Sequence, residues 1–414
     1  MTNSSTPVRD HGTGSLSGIR VVDLSRVLAG PLCTQMFADH GADVIKVEPP
    51  RGDETRTWGP PFLAPDRSAY FNAVNRNKSN VCIDLRTPQG QHILSGLLER
   101  ADVLVENFKA GTLAKWGLPD EVLRERYPGL IHCRITGFGI DGPMGGMPGY
   151  DAVVQAYSGL MSVNGESDGP ALRIGVPVVD MVTASYAFAG ALLALHERTR
   201  TGLGQLVDCT LLDTAVSLLH PHSSAYLADH RPPRRTGSAH PTIAPYDTFA
   251  AANGPIFIGA GNDSQFARLA AVLGVTGEID ERFATNTARL ANIDSLRQIL
   301  ADAIASHDRG ALAKTLLAEG VPASALHDIP DALQDPQVRH REMVTMLGDE
   351  AVIGVPIKLS RTPAVLRTAA RDRGADTRRV LTDLGYSDQQ IEDLLDGGTV
   401  HEASAVNAAR SSVL

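Results

Sequence analysis

The segment GIRVVDLSRVLAGPLCTQMFADHGADVIKV, residues 18–47, decides the fold. It opens with a β-branched apolar run, passes Pro31 at the first turn of a predicted helix, and ends in a second apolar run at 42–47. Proline is tolerated in a first helical turn because its missing N–H would have no partner there. The segment has the length of a βαβ unit and predicts two parallel strands joined by a helix.

The same pattern recurs along the first third of the chain. A second unit has an apolar run at 80–85, a helix opened by Thr87 and Pro88, and another apolar run at 102–105. A third apolar run, 130–135, leads into a glycine-rich stretch. Repeated strand–helix–strand patterns indicate an α/β fold with a large, open, mostly parallel, Rossmann-like sheet.

The pattern along the rest of the chain predicts a second, smaller α/β domain. Proline- and arginine-containing stretches with little periodicity are typical of linkers and set its edges. The predicted boundaries are a flexible lead-in at 1–17, a large domain from both chain ends at 18–220 and 340–400, a small domain at 237–332, linkers at 221–236 and 333–339, and a flexible tail at 401–414.

Composition narrows the class of protein. The 414 residues carry 47 acidic and 38 basic side chains, a net charge of −9, so no long-range field attracts nucleic acid or an anionic membrane. The apolar run at 184–195 is shorter than the ~20 residues that span a bilayer. The four cysteines are far apart, and His220 and His222 would lie on different helix faces, so we expect a cytoplasmic protein without a metal site.

Short polar segments containing glycine or asparagine follow the predicted strands, where open α/β sheets bind ligands. Each alone is typical of a turn, and neither a phosphate-binding P-loop nor a GxGxxG motif after the first strand is present. The segments are SRVLAGP at 25–31, NRNK at 75–78, ENFKAG at 106–111, TGFG at 136–139 and GYD at 149–151.

In this order the segments resemble the family III CoA-transferases, which include formyl-CoA:oxalate and carnitine CoA-transferases and α-methylacyl-CoA racemase. GDETRTWGPPF, NRNKS and SAHPTIAPY are most similar to succinyl-CoA-dependent transferases of the glutarate and hydroxymethylglutarate type. The longer matches are LSRVLAGPLCTQMFADHGADVIKVEPP, NRNKSNVCIDLRTPQG, ADVLVENFKAGTLAKWGL, ITGFGIDGP, GYDAVVQAYSGLMSVNG, GVPVVDMVTASYAFAGALLAL and DPQVRHREM.

The resemblance implies a carboxylate nucleophile at Asp180, which forms anhydride and aspartyl-CoA intermediates. By residue type alone, Asp180 would also suit a helix N-cap. The resemblance further implies that Gly259, Ala260 and Gly261 form a loop over the aspartyl adduct, although Ala260 stands where the family often has glycine.

The resemblance also implies the residues that bind CoA. Lys78 and Lys115 would be phosphate-binding cations and, with Arg51, would gather into one basic pocket. Leu28 stands where formyl-CoA transferase has glutamine, and Pro49 where many members have arginine; Arg51 is the expected substitute for that arginine. The other implied contacts are Val27, Leu28, Ala29, Asn75, Asn107, Phe108, Gly137, Phe138, Tyr150 and Asp151.

Three functions remain open from the sequence. A racemase would need histidine where this chain has Tyr150, and tyrosine, with a reference pKa of ~10, is a poor base at neutral pH, so transfer of CoA is favoured. A CoA-binding protein without catalysis is the third possibility. The resemblance implies an interlocked homodimer, with acyl-CoA as substrate and no tightly bound cofactor.

The acceptor acid is open as well. A distal carboxylate calls for a bidentate arginine. Five arginines lie in or beside the motifs: Arg56, Arg76, Arg134, Arg173 and Arg235.

Overall fold

The computed structural model describes residues 14–403. Its strands follow the predicted apolar runs in the first third of the chain. They are β1 (Arg20–Asp23), β2 (Asp43–Glu48), β3 (Phe62–Ala64), β4 (Arg67–Ser68), β5 (Ser79–Ile83), β6 (Val103–Glu106), β7 (Ile131–Thr136), β8 (Leu206–Thr210), β9 (Tyr246–Ala251), β10 (Gly254–Gly259), β11 (Ala323–Ala325), β12 (Val344–Leu347), β13 (Glu350–Ile353) and β14 (Val400–His401).

Helices connect most of the strands, and several have a side-chain cap where the sequence offers Ser, Thr, Asp or Asn. They are α1 (Ala29–Asp39), α2 (Ala69–Ala73), α3 (Pro88–Leu98), α4 (Thr112–Lys115), α5 (Asp120–Arg126), α6 (Asp151–Tyr157), α7 (Val178–Thr201), α8 (Leu211–Ser217), α9 (His222–Asp229), α10 (Asp263–Leu273), α11 (Asn286–Ala291), α12 (Ile293–Ile304), α13 (Arg309–Ala318), α14 (Ile329–Gln334), α15 (Pro336–His340), α16 (Thr377–Leu384) and α17 (Asp388–Asp396).

The main sheet has seven strands in the order β14-β5-β2-β1-β6-β7-β8. All neighbours are parallel except β14, which pairs antiparallel with β5. Along the chain, β2 and β5 are added to the sheet on one side of β1, and the strands from β6 onward are added on its other side. The strand order therefore reverses between β1 and β6, and ligands of open α/β sheets bind at such a reversal. The predicted α/β fold with a mostly parallel sheet is confirmed.

Both faces of the central strands β1, β2, β6 and β7 are buried, as is typical of parallel sheets covered by helices. One face packs against α1 and α7, with Phe37 and Phe188 in edge-to-face contact at 4.8 Å between ring centroids. The other face packs against α3, α16 and α17, where Ile93, Leu97 and Leu381 are buried. The C-terminal helices thus complete the core that the N-terminal strands begin.

Helix α7 is longer than the apolar run suggested. It has 24 residues and is apolar enough to cross a membrane by length and composition. Core helices of soluble proteins meet the same criterion, and α7 buries Ala184, Ala187 and Ala191 in the core. Other apolar side chains of this helix are exposed, with Leu193 at 72%.

The chain clusters into two compact units. Within the described residues, the first contains 14–158, Gly175–Leu218 and 339–403, and the second contains Gly159–Ile174 and Leu219–Val338. The second unit has an antiparallel sheet in the order β11-β10-β9, packed against α10, α12 and α13. Its core includes Ile256, Ile258 and Leu300, all fully buried.

The predicted domain boundaries remain a prediction. The limits of the two compact units do not coincide with them. Gly159–Ile174 clusters with the second unit, and the predicted linker 221–236 contains α9. The flexible lead-in and tail fall largely on 1–13 and 404–414, which lie outside the described residues. Within the described part, the Leu16 N–H donates to the His40 carbonyl at 2.9 Å, and His401 belongs to β14.

Candidate active site

The loop that follows β1 is held in an unusual backbone conformation. Val27 has φ of 69°, in the left-handed region that β-branched residues rarely adopt. At Gly30 an added Cβ would lie 2.2 Å from the Cβ of Ser25, so only glycine allows this close approach. Backbone strain of this kind persists only where the surrounding structure fixes it.

A buried charge network lies under this loop and fixes it. Asp23, at the end of β1, accepts hydrogen bonds from the backbone N–H and hydroxyl of Ser25 at 2.9 and 2.5 Å. The Lys46 ammonium donates to the Ser25 carbonyl at 2.9 Å and to Asp53 at 3.1 Å. Asp53 in turn accepts from the Val27 N–H at 3.4 Å. The strained loop is thus tied to buried carboxylates on both sides.

Lys78 belongs to this network and not to the expected basic pocket. It is 3% exposed, and its ammonium donates to Asp23 at 3.0 Å, the Pro31 carbonyl at 2.8 Å and Asn75 Oδ1 at 2.8 Å. Asn75 is buried beside it and also donates to the Phe71 carbonyl at 2.9 Å. Burial would raise the pKa of Asp23, but Lys78 and Lys46 outweigh it and lower that pKa to about 2. Lys78 and Asn75 therefore have partners within the protein and stabilise the loop.

Asp180 is the third residue of α7, whose N-cap position is Pro177. It is therefore in the first helical turn and not the cap that its residue type alone suggested. Burial, with the nearby negative charge of Asp151, raises the pKa of Asp180 to about 7. No Lys, Arg or His forms an ion pair with it among residues 14–403. A carboxylate without a counter-charge in a poorly hydrated place is a stronger nucleophile than one in water.

Asp151, expected among the CoA contacts, binds the start of α7 instead. Its Oδ2 accepts from the Val179 N–H at 2.8 Å and the Asp180 N–H at 3.1 Å, and its Oδ1 accepts from Gln155 at 2.5 Å. A carboxylate that accepts free N–H groups at a helix start stabilises that helix. Asp151 is 6% exposed. It holds the helical turn that carries Asp180, and its negative charge contributes to the raised pKa of Asp180.

A cavity of about 190 Å³, here called the Asp180 cavity, opens between these elements. Gly137 borders it, and a Cβ there would lie 2.8 Å from the Cα of Gly149, so the two backbones meet where only glycine fits. Phe138 lies outside the lining and packs against Tyr157 at 5.2 Å. The predicted site residues that line the cavity are Val27, Leu28, Ala29, Asn107, Phe108, Gly137, Tyr150 and Asp180.

A second cavity, here called the Trp116 cavity, has a volume of about 530 Å³. Its apolar lining includes Leu24, Val47 and Trp116, and Arg51 contributes a charge as expected. Lys115 is exposed on α4 and lies outside the lining. The expected basic pocket therefore contains Arg51 but neither Lys78 nor Lys115.

Other cations line the cavities in place of Lys78 and Lys115, and these were not predicted from the sequence. Arg26 and Lys109 line both cavities, and Arg86 lines the Trp116 cavity. Arg26 follows β1 and Lys109 follows β6, the two strands between which the strand order reverses. A basic residue after each of two adjacent parallel strands was the signal available in the sequence.

The candidate arginines of the first unit are already neutralised. Arg56 donates to both carboxylate oxygens of Glu48 at 2.7 and 2.8 Å. Arg76 is paired with Asp39 at 2.7 Å. Arg134 binds Glu106 at 3.3 Å and also Asp120. Arg56 and Arg76 therefore stabilise the fold, whereas Arg134 has two carboxylate partners but keeps a buried Nη1 without a hydrogen bond.

The two remaining arginines belong to the second unit. Arg235 donates to the carbonyls of Glu166, Ser162 and Gly169, the last at 2.8 Å. Arg173 is exposed and donates to the Ile174 carbonyl at 3.2 Å. Arg235 therefore joins segments of the second unit that are distant in sequence.

The predicted glycine loop also belongs to the second unit, at the end of β10. Its backbone N–H groups are engaged: Gly259 donates to the Pro322 carbonyl at 2.9 Å, Ala260 to the Pro245 carbonyl at 2.9 Å, and Gly261 to Gln265 at 2.8 Å. Donation to an oxyanion would require at least one of these bonds to be exchanged. The Gly261–Gln265 bond joins exposed groups and is the easiest to exchange.

Within residues 14–403 no group of three or more His, Cys, Asp or Glu side chains is arranged to hold a metal ion. Burial raises the pKa of the Cys82 thiol to about 12 and that of Cys209 to about 12. These thiols are therefore protonated at neutral pH and are weak nucleophiles. The Asp180 carboxylate, whose pKa is raised to about 7, lines the Asp180 cavity.

Comparison with known proteins identifies the family to which the chain belongs. The family model described as CoA-transferase family III matches residues 16–377. The succinate–glutarate CoA-transferase of Agrobacterium fabrum is 43% identical over 382 residues, 89% of this chain and 95% of that protein. The succinyl-CoA:mesaconate CoA-transferase of Haloarcula hispanica is 41% identical over 364 residues, 84% of this chain and 91% of that protein.

A solved structure shows the same fold. A CAIB/BAIF family protein from Brucella suis has a TM-score of 0.82 and 40% identity, covering 90% of this chain and 99% of that chain. The family match extends across both units and includes every predicted site residue. The resemblance read from the motifs is thereby confirmed: the chain is an enzyme of the CoA-transferase family III.

Proposed function

We propose that this protein transfers CoA from succinyl-CoA to a dicarboxylic acid, with Asp180 as the nucleophile. The observation that carries the proposal is the Asp180 carboxylate itself. It lines a cavity at the strand-order reversal, it forms no ion pair among residues 14–403, and its pKa is raised to about 7. A carboxylate with this pKa ionises in the neutral range, and in that form it can attack an acyl carbon.

The proposed reaction is an exchange of acyl bonds. An Asp180 oxygen attacks the thioester carbonyl carbon, the C–S bond breaks, and CoA leaves as the thiolate with a mixed anhydride left on the protein. The thiolate then attacks the aspartyl carbonyl, releasing succinate and forming an aspartyl-CoA thioester. The acceptor carboxylate repeats these two steps in reverse, which returns Asp180 and releases the new acyl-CoA. No oxidant, metal or net proton is consumed.

The substrates follow from the relatives and remain proposals for this chain. The Agrobacterium relative is named for succinate and glutarate, and the Haloarcula relative for succinyl-CoA and mesaconate. All of these acids are dicarboxylic. Arg56 and Arg76 are each paired with a buried carboxylate, which favours another site for the acceptor's second carboxylate.

We place acyl-CoA across the two cavities. The apolar lining of the Trp116 cavity suits a purine base, and Arg51 at its edge suits a phosphate. The thioester end would then lie in the Asp180 cavity, beside the strained Val27 backbone. Val27, Leu28, Ala29, Asn107, Phe108, Gly137 and Tyr150 keep their proposed contacts with CoA.

The geometry favours transfer over racemisation. A two-base racemase needs a second proton acceptor beside Asp180. Asp151 has both oxygens engaged by Gln155 and the start of α7, and Tyr150 is 60% exposed. Neither is placed to serve as that base.

The remaining proposals concern assembly and the second unit. The Gly259–Ala260–Gly261 loop is proposed to contact the acyl intermediate after exchanging one of its hydrogen bonds. Exposed apolar side chains on α7 and α8, among them Leu193 and Val216, favour a homodimer, interlocked as the family resemblance implies. A cytoplasmic location and the lack of a tightly bound cofactor remain expectations.

A screen of acceptors tests the function. The purified protein is incubated with succinyl-CoA and, separately, acetyl-CoA or oxalyl-CoA, each with glutarate, mesaconate, citramalate or oxalate, and the CoA products are identified by mass spectrometry. We expect succinyl-CoA with at least one dicarboxylate to give the fastest transfer. Uptake of α-deuterium by a 2-methylacyl-CoA in deuterated water without any acceptor acid would instead identify a racemase.

A further inference from the structure

Arg26 lies where the Asp180 cavity and the Trp116 cavity meet. Three residues line both cavities: Arg26, Phe108 and Lys109. Two of the three are cations, on a protein whose net charge is −9. A ligand that extends from one cavity into the other passes this junction, so the junction selects for negative charge in the middle of the ligand.

The backbone of Arg26 is fixed from both sides. Its N–H donates to Asn107 Oδ1 at 2.9 Å, and its carbonyl accepts from Asn107 Nδ2 at 2.7 Å. The next residue is Val27, which has positive φ and donates its N–H to Asp53. The ends of β1 and β6 are joined in this way, and the backbone position from which the Arg26 side chain extends is set before any ligand binds.

The Arg26 guanidinium lacks the counter-charge that neighbouring arginines have. Its Nε is buried without a hydrogen bond, and no carboxylate of residues 14–403 pairs with it. Its nearest aromatic group is Phe108, with 6.0 Å between the guanidinium carbon and the ring centroid. Arg56 and Arg76, by contrast, each bind a carboxylate at 2.7 Å. A planar donor group with unused N–H bonds suits a phosphoryl or carboxylate anion.

We propose that Arg26, together with Lys109, binds the diphosphate of the acyl-CoA at the junction of the two cavities. This inference rests on the proposed acyl-CoA substrate. The diphosphate lies between the nucleotide and the pantetheine arm, so it comes to the junction when the base occupies the Trp116 cavity and the thioester the Asp180 cavity. Arg26 is thereby a specificity residue that selects nucleotide-bearing thioesters.

A truncated donor tests the proposal. S-succinyl-pantetheine keeps the thioester and the succinyl carboxylate but has no diphosphate. Arg26→Met is expected to raise KM for succinyl-CoA about 10- to 100-fold with little change in kcat, since a charge-assisted contact is lost. The same variant is expected to leave kcat/KM for S-succinyl-pantetheine unchanged. Lys109→Met should also raise KM for succinyl-CoA, by a smaller factor, and should leave kcat/KM for S-succinyl-pantetheine unchanged.

Controls distinguish binding of the diphosphate from a structural role and from binding of the distal succinyl carboxylate. An equal loss with both donors would overturn the proposal, because it would indicate a structural role. A loss with succinyl-CoA and S-succinyl-pantetheine that disappears with butyryl-CoA would also overturn it, because Arg26 would then bind the distal succinyl carboxylate. Arg126→Met is the matched control: Arg126 lies on α5, outside the lining of both cavities, and is paired with Glu99 at 3.1 Å.

Binding measurements test the proposal even if a protein shows no turnover. Titration calorimetry with CoA and with pantetheine is run on the wild type, Arg26→Met and the charge-conserving Arg26→Lys. We expect the affinity for CoA to fall in the order wild type, Arg26→Lys, Arg26→Met. Equal affinities for CoA would overturn the inference even if the wild type catalyses transfer, whereas a wild type that binds CoA but transfers nothing would refute only the proposed function.

Discussion

Two groups of charged side chains lie within the first unit and have opposite roles. In the buried network under β1 and β2, Asp23, Lys46, Asp53 and Lys78 are paired at 3.0 and 3.1 Å. Along the cavities, Asp180, Arg26 and Lys109 form no ion pair among the described residues. The first group has its counter-charges within the chain and stabilises the fold. The second has none and is available to a ligand.

Removing the carboxylate of Asp180 should give the largest loss of turnover. Asp180→Asn is expected to lower turnover by at least about 10³-fold, because an amide does not form the acyl anhydride. Mass spectrometry after incubation with succinyl-CoA and hydroxylamine should show a modified Asp180 in the wild type and none in the variant. Unchanged turnover would support the non-catalytic CoA-binding alternative.

The same variant should be more stable than the wild type. The pKa of Asp180 rises from 3.8 in the unfolded chain to about 7 in the folded one, so stability is lost as the pH rises from about 4 to about 7, and the loss is complete above pH 7. Asp180→Asn is therefore expected to gain about 2 kcal/mol of unfolding free energy at pH 8 and little at pH 4, after allowance for partial exposure. Asp213→Asn, in the first turn of α8, is the matched control and should change neither property.

This contrast also explains what the sequence predicted and what it did not. Strand positions and the parallel sheet follow from apolar periodicity, which is local information. The role of Lys78 depends on Asp23, which is 55 residues away in sequence. Nothing around Lys78 in the sequence distinguishes an ammonium paired with a buried carboxylate from one that faces a cavity.

Asp180 and Arg26 show the two ways in which a site residue is found. Asp180 was identified through a motif, and its raised pKa comes from burial and from Asp151, 29 residues earlier in the chain. Arg26 lies inside the SRVLAGP motif, but the motif does not single it out, because its missing counter-charge is visible only once the whole chain has folded. A group's freedom from partners is a property of the tertiary structure.

Breaking the Arg56–Glu48 pair, which adjoins the buried network, should reduce stability and not specificity. Arg56→Met leaves the Glu48 carboxylate, which is 1% exposed, without its bidentate partner. We expect the free energy of unfolding to fall by about 3–5 kcal/mol, measured by urea denaturation. Arg51→Met, at the exposed edge of the Trp116 cavity, should change it by less than about 0.5 kcal/mol. Equal losses would erase the distinction between the two groups of charges.

The pH dependence should reveal the influence of Asp151 on Asp180. Because the nucleophile must be ionised, kcat/KM for succinyl-CoA is expected to rise with pH through an apparent pKa near 7. Asp151→Asn removes a negative charge while its amide oxygen still accepts the N–H bonds of Val179 and Asp180. That variant should shift the acidic limb to lower pH by roughly one unit. An unmoved limb would assign the raised pKa to burial alone.

Arg51 and Lys115 provide the smallest and most discriminating comparison. Both were expected to bind the phosphates of CoA, but Arg51 lines the Trp116 cavity and Lys115 does not. Arg51→Ala is expected to raise KM for succinyl-CoA about 2- to 5-fold, an effect that shrinks at high salt because the side chain is exposed. Lys115→Ala, with the same loss of charge, should leave KM unchanged. If Lys115→Ala has the larger effect, the nucleotide end of CoA lies along α4 and not in the Trp116 cavity, and Arg26 would then no longer lie between the two ends of the substrate.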